Sequence, residues 1–114
     1  MLRSNHRFHG LGSLRRVYQH GQTVRSPLVA LKVLPNERRN DYRAAVVVSR
    51  KVNKSAVVRN RLRRRLYEQL RLQQAKIDKP FDLVFTVYSE QLAELDTAEL
   101  QELVHDLLHR GGVI

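Results

Sequence analysis

The segment 55–76 constrains the fold more than any other part of the chain, because no glycine or proline interrupts it. Leucine, arginine and glutamine, which favour helices, dominate the segment. Ser55 is well suited to cap its first turn. Four apolar residues recur at every fourth position and form one slowly drifting stripe: Val58, Leu62, Leu66 and Leu70. The sequence therefore predicts a long helix with one face on a hydrophobic core.

Apolar segments with the character of strands lie on both sides of this helix. Residues 28–34 are apolar except for Lys32, and the prolines that bracket them are tolerated at strand ends. Residues 42–49 contain three consecutive valines, and residues 83–88 are similarly rich in β-formers. The turn-forming run 36–41 predicts an antiparallel hairpin of the first two strands. The long helix then joins the second strand to the third in a β-α-β unit.

Two shorter helices are predicted at either end of the chain. Residues 11–20 have apolar residues at helical spacing and are followed by Gly21. Asp96 and Glu99 have the spacing of a capping box, and an apolar stripe follows them up to Gly111. The fold class predicted is α+β, a single domain over residues 1–114 with the order α-β-β-α-β-α in packed layers. Residues 1–10 are expected to form a flexible basic arm.

Charge is distributed unevenly along the chain. Residues 1–76 hold 19 Lys and Arg against three acidic residues, whereas residues 77–114 hold two against eight. A concentrated positive field attracts a polyanion. There is no cysteine for a disulfide or thiolate site, and the apolar runs are far shorter than the roughly 20 residues that span a bilayer. We expect a cytoplasmic protein without membrane contact, whose polyanionic partner meets the first two-thirds of the chain.

The long helix concentrates this charge. Nine Lys and Arg lie between Arg50 and Arg71, with Glu68 as the one acidic residue. Four residues at steps of four, three and four are predicted to address one external surface: Asn60, Arg64, Tyr67 and Arg71. Helix faces that contact only solvent usually have acidic residues among the basic ones. The basic run here therefore favours a surface that binds nucleic acid over one that contacts only solvent. Arginine suits forked hydrogen bonds to phosphate.

The stretch 48–64, read as VSRKVNKSAVVRNRLRR, resembles the signature of the ribonuclease P protein subunit family. An Arg-Asn-Arg motif follows a valine-rich strand and a Ser-basic-basic turn in the family as it does here, and the resemblance extends to residues 14–21 and 82–87. It implies an α/β sandwich with a left-handed β-α-β crossover, which general rules would not predict. The implied function is removal of the 5′ leader from precursor tRNA by a catalytic RNA subunit with Mg²⁺, assisted by this protein.

The resemblance also implies site residues. Seven residues are expected to contact the catalytic RNA and organise metal ions near the cleavage site: Arg50, Lys51, Arg59, Asn60, Arg61, Arg63 and Arg64. A cleft for the single-stranded leader is implied at Leu14, Tyr18 and Lys32, with Tyr18 as a stacking aromatic. Leu14 and Lys32 stand where the family often has aromatic residues, so charge partly replaces stacking. Asn53 replaces a usual glycine, and Tyr67 a frequent arginine.

Other functions are open to a sequence of this kind. A protein-centred nuclease needs acid–base groups or paired carboxylates placed together, and the basic region has neither. His105 and His109 have a metal-ligand spacing without a third ligand. We therefore expect no catalytic or metal-binding residue in this chain, Mg²⁺ held mainly by RNA, and no obligate protein partner. A structural rRNA-binding protein is the main alternative, and a DNA-binding protein the next.

Overall fold

The computed structural model describes residues 2–114, which form one domain of three α-helices, four β-strands and three short 3-10 segments. The elements in chain order are α1 (Leu11–His20), β1 (Gln22–Arg25), β2 (Val29–Pro35), β3 (Arg43–Val48), α2 (Ala56–Gln73), β4 (Phe81–Val87) and α3 (Thr97–Arg110). The 3-10 segments are Ser4–His6, Gln74–Lys76 and Glu90–Glu94. The predicted α+β class is confirmed, with one strand more than expected.

The strands form one mixed sheet in the order β1-β2-β4-β3. β4 pairs antiparallel with β2 and parallel with β3. The predicted hairpin between residues 28–34 and 42–49 is therefore wrong, because β4 lies between those strands. β4 takes the centre because it is apolar on both faces, as the complete burial of Val84 and Phe85 shows. The predicted β-α-β unit of β3, α2 and β4 is confirmed, and the handedness of its crossover stays a prediction.

The true hairpin partner of β2 is β1, which the sequence analysis missed. β1 pairs antiparallel with β2 in the register Thr23 with Lys32 and Val24 with Leu31. The Ser26 hydroxyl closes the turn, donating to Val29 O at 2.5 Å. β1 has a single partly buried residue, Val24, so it lacks the apolar alternation by which strands are recognised.

Helices cover both faces of the sheet. On one face, α2 and α3 pack their leucines on alternate strand residues, and this main core includes Leu31, Leu66, Phe85 and Leu107. α1 packs on β2 and β4 on the opposite face, where its Val17 is fully buried. The stripe predicted for the long helix is confirmed, since Leu62, Leu66 and Leu70 are buried and Val58 is partly buried.

The predicted helix caps are present. The Ser55 hydroxyl accepts from Val58 N at 3.4 Å, and Asp96 and Glu99 form the reciprocal capping box of α3. Asp82, at the start of β4, is 1% exposed and accepts from the Arg43 guanidinium at 2.7 Å and from Asn36 Nδ2 at 3.1 Å. This buried carboxylate is stabilised because its oxygens have charged and amide donors.

Residues 2–9 of the predicted basic arm pack against the edge of β3. Leu2 is buried, Arg7 forms a parallel bridge with Ala44, and the His6 ring stacks on Tyr42 with centroids 4.2 Å apart. The flexibility expected of this arm stays a prediction, and these contacts place residues 2–9 beside β3. Gly10 follows this segment with φ at +93°. Met1 lies outside the described residues.

Candidate nucleic-acid interface

β3 leads directly into the predicted RNA-binding motif. The strand ends at Val48, the basic loop 49–55 follows, and α2 begins at Ala56. Asn53 organises the loop, since its Oδ1 accepts from Ser55 N at 2.8 Å and its Nδ2 donates to Glu90 at 2.7 Å. No residue other than glycine has a positive φ among residues 2–114, so Asn53 holds the loop through these hydrogen bonds and not through a left-handed backbone.

Three arginines of α2 are bonded to the protein itself. Arg59 donates to the carbonyls of Asn53 and Lys54 at 3.1 and 2.9 Å, which holds the basic loop against the helix. Arg63 donates to Asn60 Oδ1 at 2.7 Å and to Val48 O at 3.5 Å. Arg65 donates to Leu92 O and Leu95 O at 2.7 and 2.5 Å. These guanidinium groups are partly buried, and their first effect is to fix the shape of the motif.

Five other cations form what we call the basic face: Arg50, Lys51, Lys54, Arg61 and Arg64. All five are exposed, and none of their side chains forms a hydrogen bond or ion pair within the described part of the chain. Arg50, Lys51 and Lys54 also line one groove of about 490 Å³. The sequence analysis omitted Lys54, although its place directly before the helix cap was a usable signal.

The predicted outer surface of Asn60, Arg64, Tyr67 and Arg71 is only partly correct. Tyr67 is half-buried, and its hydroxyl accepts from Val46 N at 3.1 Å, so it covers the edge of β3. The Arg71 guanidinium pairs with Glu68. The hydrogen bond from Arg71 holds the pKa of the Glu68 carboxyl below its ordinary value. The spacing does keep these residues on one side of the helix, but it does not show that Tyr67 reaches back to β3 or that Arg71 is paired with Glu68.

α1 packs across part of the sheet face opposite α2 and α3, where the resemblance implies a cleft for the leader. Tyr18 is 40% exposed, and Leu14 and Lys32 are partly exposed beside it. The Lys32 ammonium donates to Tyr18 O at 2.8 Å and lies 5.7 Å from the centre of the Tyr18 ring. Lys32 thus binds the carbonyl end of α1, where a cation is favoured, and holds Tyr18 at the sheet. The three predicted cleft residues therefore lie together.

The sheet face beside Lys32 ends next to the basic loop. Alternation along the strands places Ala45, Val47 and Thr86 on the same sheet face as Lys32, and all three are partly exposed. These three residues are the floor of the expected cleft, and the basic loop begins directly after β3 ends at Val48. The sequence analysis missed Phe8, whose ring lies 4.5 Å from the Arg43 guanidinium at the other end of β3.

Acidic residues and histidines do not assemble into a metal site. Within residues 2–114 no three of the side chains His, Cys, Asp and Glu are placed to hold a metal ion. The rings of His105 and His109 stack with centroids 6.2 Å apart on α3. No helix in this part of the chain is long and apolar enough to cross a membrane.

Comparison with known proteins identifies this arrangement. The family model described as Ribonuclease P matches residues 2–112. The ribonuclease P protein component of Roseiflexus castenholzii is 40% identical over 100 residues, covering 88% of this chain and 80% of the relative. That of Synechococcus elongatus is 34% identical over 112 residues, covering 96% of this chain and 92% of the relative.

Solved structures agree on the fold. The RNase P protein of Staphylococcus aureus has a TM-score of 0.83 at 20% identity, covering 95% of this chain and 96% of that one. The RNase P protein of Thermotoga maritima has a TM-score of 0.80 at 24% identity, covering 91% of this chain and 96% of that one.

Proposed function

The chain belongs to the ribonuclease P protein family and is an accessory subunit of a ribonucleoprotein endonuclease of tRNA processing; from this premise we propose which of its surfaces bind RNA. The basic face binds the catalytic RNA subunit, and the cleft beside α1 holds the single-stranded 5′ leader of precursor tRNA. Family membership favours this function over a structural rRNA-binding or DNA-binding role. The assembly is expected in the cytoplasm.

The proposal rests on one observation, which is that some cations of the motif are bonded to the protein and others are not. Arg59, Arg63 and Arg65 are bonded to carbonyl or amide oxygens of the protein, whereas the cations of the basic face are exposed and have no partner within residues 2–114. Like charges held this close repel each other, and an external polyanion relieves that repulsion. Phosphate contacts of this kind give affinity and position without reading sequence.

The cleft suits a single strand because it combines an exposed ring with a cation and an uncharged floor. A base that stacks on the Tyr18 ring leaves its phosphate within reach of the remaining donors of the Lys32 ammonium. Leu14 adds apolar surface beside the ring. A duplex has no unstacked base to offer, so this cleft distinguishes the leader from paired regions.

The positive charge of the protein promotes the binding of Mg²⁺ by the RNA, and this effect needs no metal ligand in the protein. Leader and catalytic RNA are both polyanions, and each phosphate that meets an arginine releases counterions. Fewer Mg²⁺ ions are then required to offset repulsion between the two RNAs. The basic face offers no carboxylate to hold the ion, so we place Mg²⁺ on RNA and assign Arg50, Lys51, Asn60, Arg61 and Arg64 to shaping the phosphates around it.

Reconstitution tests this function. Cleavage of precursor tRNA is measured with the protein alone, with the catalytic RNA alone at low Mg²⁺, and with both. We expect no cleavage by the protein, slow cleavage by the RNA, and accurate 5′ processing by the two together. Absence of stimulation at low Mg²⁺, with both components folded, would contradict the proposal.

A further inference from the structure

A groove between α2 and α3 borders the basic face at Arg61 and Arg64, and its inner residues have no role in the function described so far. Its volume is about 690 Å³, and it is lined by Arg61, Arg64, Arg65, Glu68, Gln69, Leu72, Thr97 and Leu100. Three guanidinium groups face one carboxylate, and that carboxylate is already paired with Arg71. The groove therefore has a positive rim and an apolar floor that includes Leu100.

Gln69 is the unusual residue in this groove. Its side chain is 3% exposed, yet its Oε1 has no hydrogen-bond partner among residues 2–114. A buried amide without a partner is costly, and native structures seldom keep one unless a water, an ion or a ligand completes it. Oε1 is enclosed as the side chain stands, and a half turn of the terminal amide exchanges Oε1 and Nε2, so Gln69 presents one of the two, a donor or an acceptor, to the groove at a time.

Arg65 adds a fixed planar surface one helical turn from Gln69. Its two terminal nitrogens donate to Leu92 O and Leu95 O at 2.7 and 2.5 Å, which holds the guanidinium plane in one orientation. Arginine planes and apolar side chains are surfaces on which unpaired bases stack. Arg61 and Arg64, whose side chains have no partner in the described chain, are free to bind a phosphate at the rim.

We propose that this groove binds one unpaired nucleotide of RNA. The phosphate lies on Arg61 and Arg64, the base stacks against Arg65 and the apolar floor, and the Gln69 amide forms one hydrogen bond with the edge of the base. The inference rests on the proposed function for the source of the nucleotide, which is the catalytic RNA. It adds a binding position for a base beyond phosphate contacts and the leader cleft.

The test uses the free protein, so its outcome is independent of cleavage activity. AMP and ribose 5-phosphate are titrated separately into ¹⁵N-labelled protein, and side-chain amide resonances are followed by NMR. The Gln69 amide is assigned by its absence from Gln69→Leu. We expect both compounds to shift the arginine resonances, but only AMP to shift Gln69, with AMP binding more tightly by at least about fivefold because of the added hydrogen bond and stacking.

Gln73 is a matched control on the same helix. It is also 3% exposed with an unpartnered Oε1, but its Nε2 donates to Gln101 O at 3.2 Å and it does not line this groove. Gln69→Leu should reduce the preference for AMP by about fivefold and leave ribose 5-phosphate binding unchanged, whereas Gln73→Leu should keep the full preference. Equal binding of the two compounds to the unmodified protein, or a Gln69 resonance that AMP does not move, would overturn the inference. An equal reduction of the preference in both variants would also overturn it.

Discussion

Replacement of Arg61 and Arg64 together by alanine is the sharpest perturbation of the basic face. Both side chains are exposed and have no internal partner in residues 2–114, so stability should change by less than about 0.5 kcal/mol. Affinity for the catalytic RNA, in contrast, should lose two phosphate contacts. The double variant therefore separates binding from folding.

The size of the effect follows from the five cations of the basic face. Each phosphate contact contributes about 0.7 to 0.9 to the slope of log affinity against log salt, so a fourfold rise in salt costs about threefold per contact. Five contacts predict a loss of about 240-fold between about 50 and 200 mM salt, and three contacts a loss of about 30-fold. The slope itself should fall by about 1.4 to 1.8.

The assay is equilibrium filter binding of the catalytic RNA over a salt series at constant Mg²⁺. Arg71→Ala combined with Arg110→Ala is the matched control, because it removes the same formal charge from side chains that are paired with Glu68 and Asp106. The control should keep the slope of the unmodified protein. An unchanged slope in the Arg61 and Arg64 variant, or an equal fall in the control, would refute the distinction between free and internally bonded arginines.

Three further predictions concern Tyr18 in the leader cleft, the close packing at Gly21 and the buried Tyr42. Tyr18→Ala should weaken binding of precursor tRNA while sparing mature tRNA, because stacking acts on the single-stranded leader; equal losses in a competition assay would remove Tyr18 from leader binding. Gly21→Ala should cost about 1–3 kcal/mol in denaturant unfolding, because a Cβ there would lie 2.6 Å from a backbone oxygen of α1, whereas Gly12→Ala, which meets nothing within 4 Å, should not destabilise. Burial and the nearby Asp41 raise the pKa of Tyr42 to about 12. The neutral phenol therefore stabilises the fold up to about pH 10, and this contribution is lost as the pH rises towards 12. A spectrophotometric titration should show a late tyrosinate step that Tyr42→Phe removes.

Local signals in the sequence predicted most of the elements. The Ser55 cap, the Asp96–Glu99 capping box and the leucine stripe of α2 depend on residues a few positions apart, and all are present. Strand neighbours depend on distant residues, which is why the hairpin of β2 and β3 was wrong. β4 separates them because a strand that is apolar on both faces is best buried between two others.

The prediction of the site was also limited by contacts between residues that are distant in the sequence. Position on a helix shows which arginines face outwards, but not which of them bend back to a carbonyl. Arg59 and Arg63 bond to residues of the preceding loop and strand, and Arg65 to the segment before α3. Those acceptors come together only in the folded chain. The sequence therefore indicated the basic region, and the structure distinguished its free cations from its bonded ones.

The most direct test of the two proposed RNA surfaces uses the absence of cysteine from the chain. Single cysteines replace Val57 beside the basic face, Leu11 on α1 and His109 on α3, all exposed, and each carries a tethered iron chelate that cleaves nearby RNA. In the complete complex with precursor tRNA, we expect cleavage of the catalytic RNA from position 57, cleavage of the 5′ leader from position 11, and neither from position 109. Strong cleavage from position 109, or leader cleavage from position 57 without any from position 11, would contradict the account.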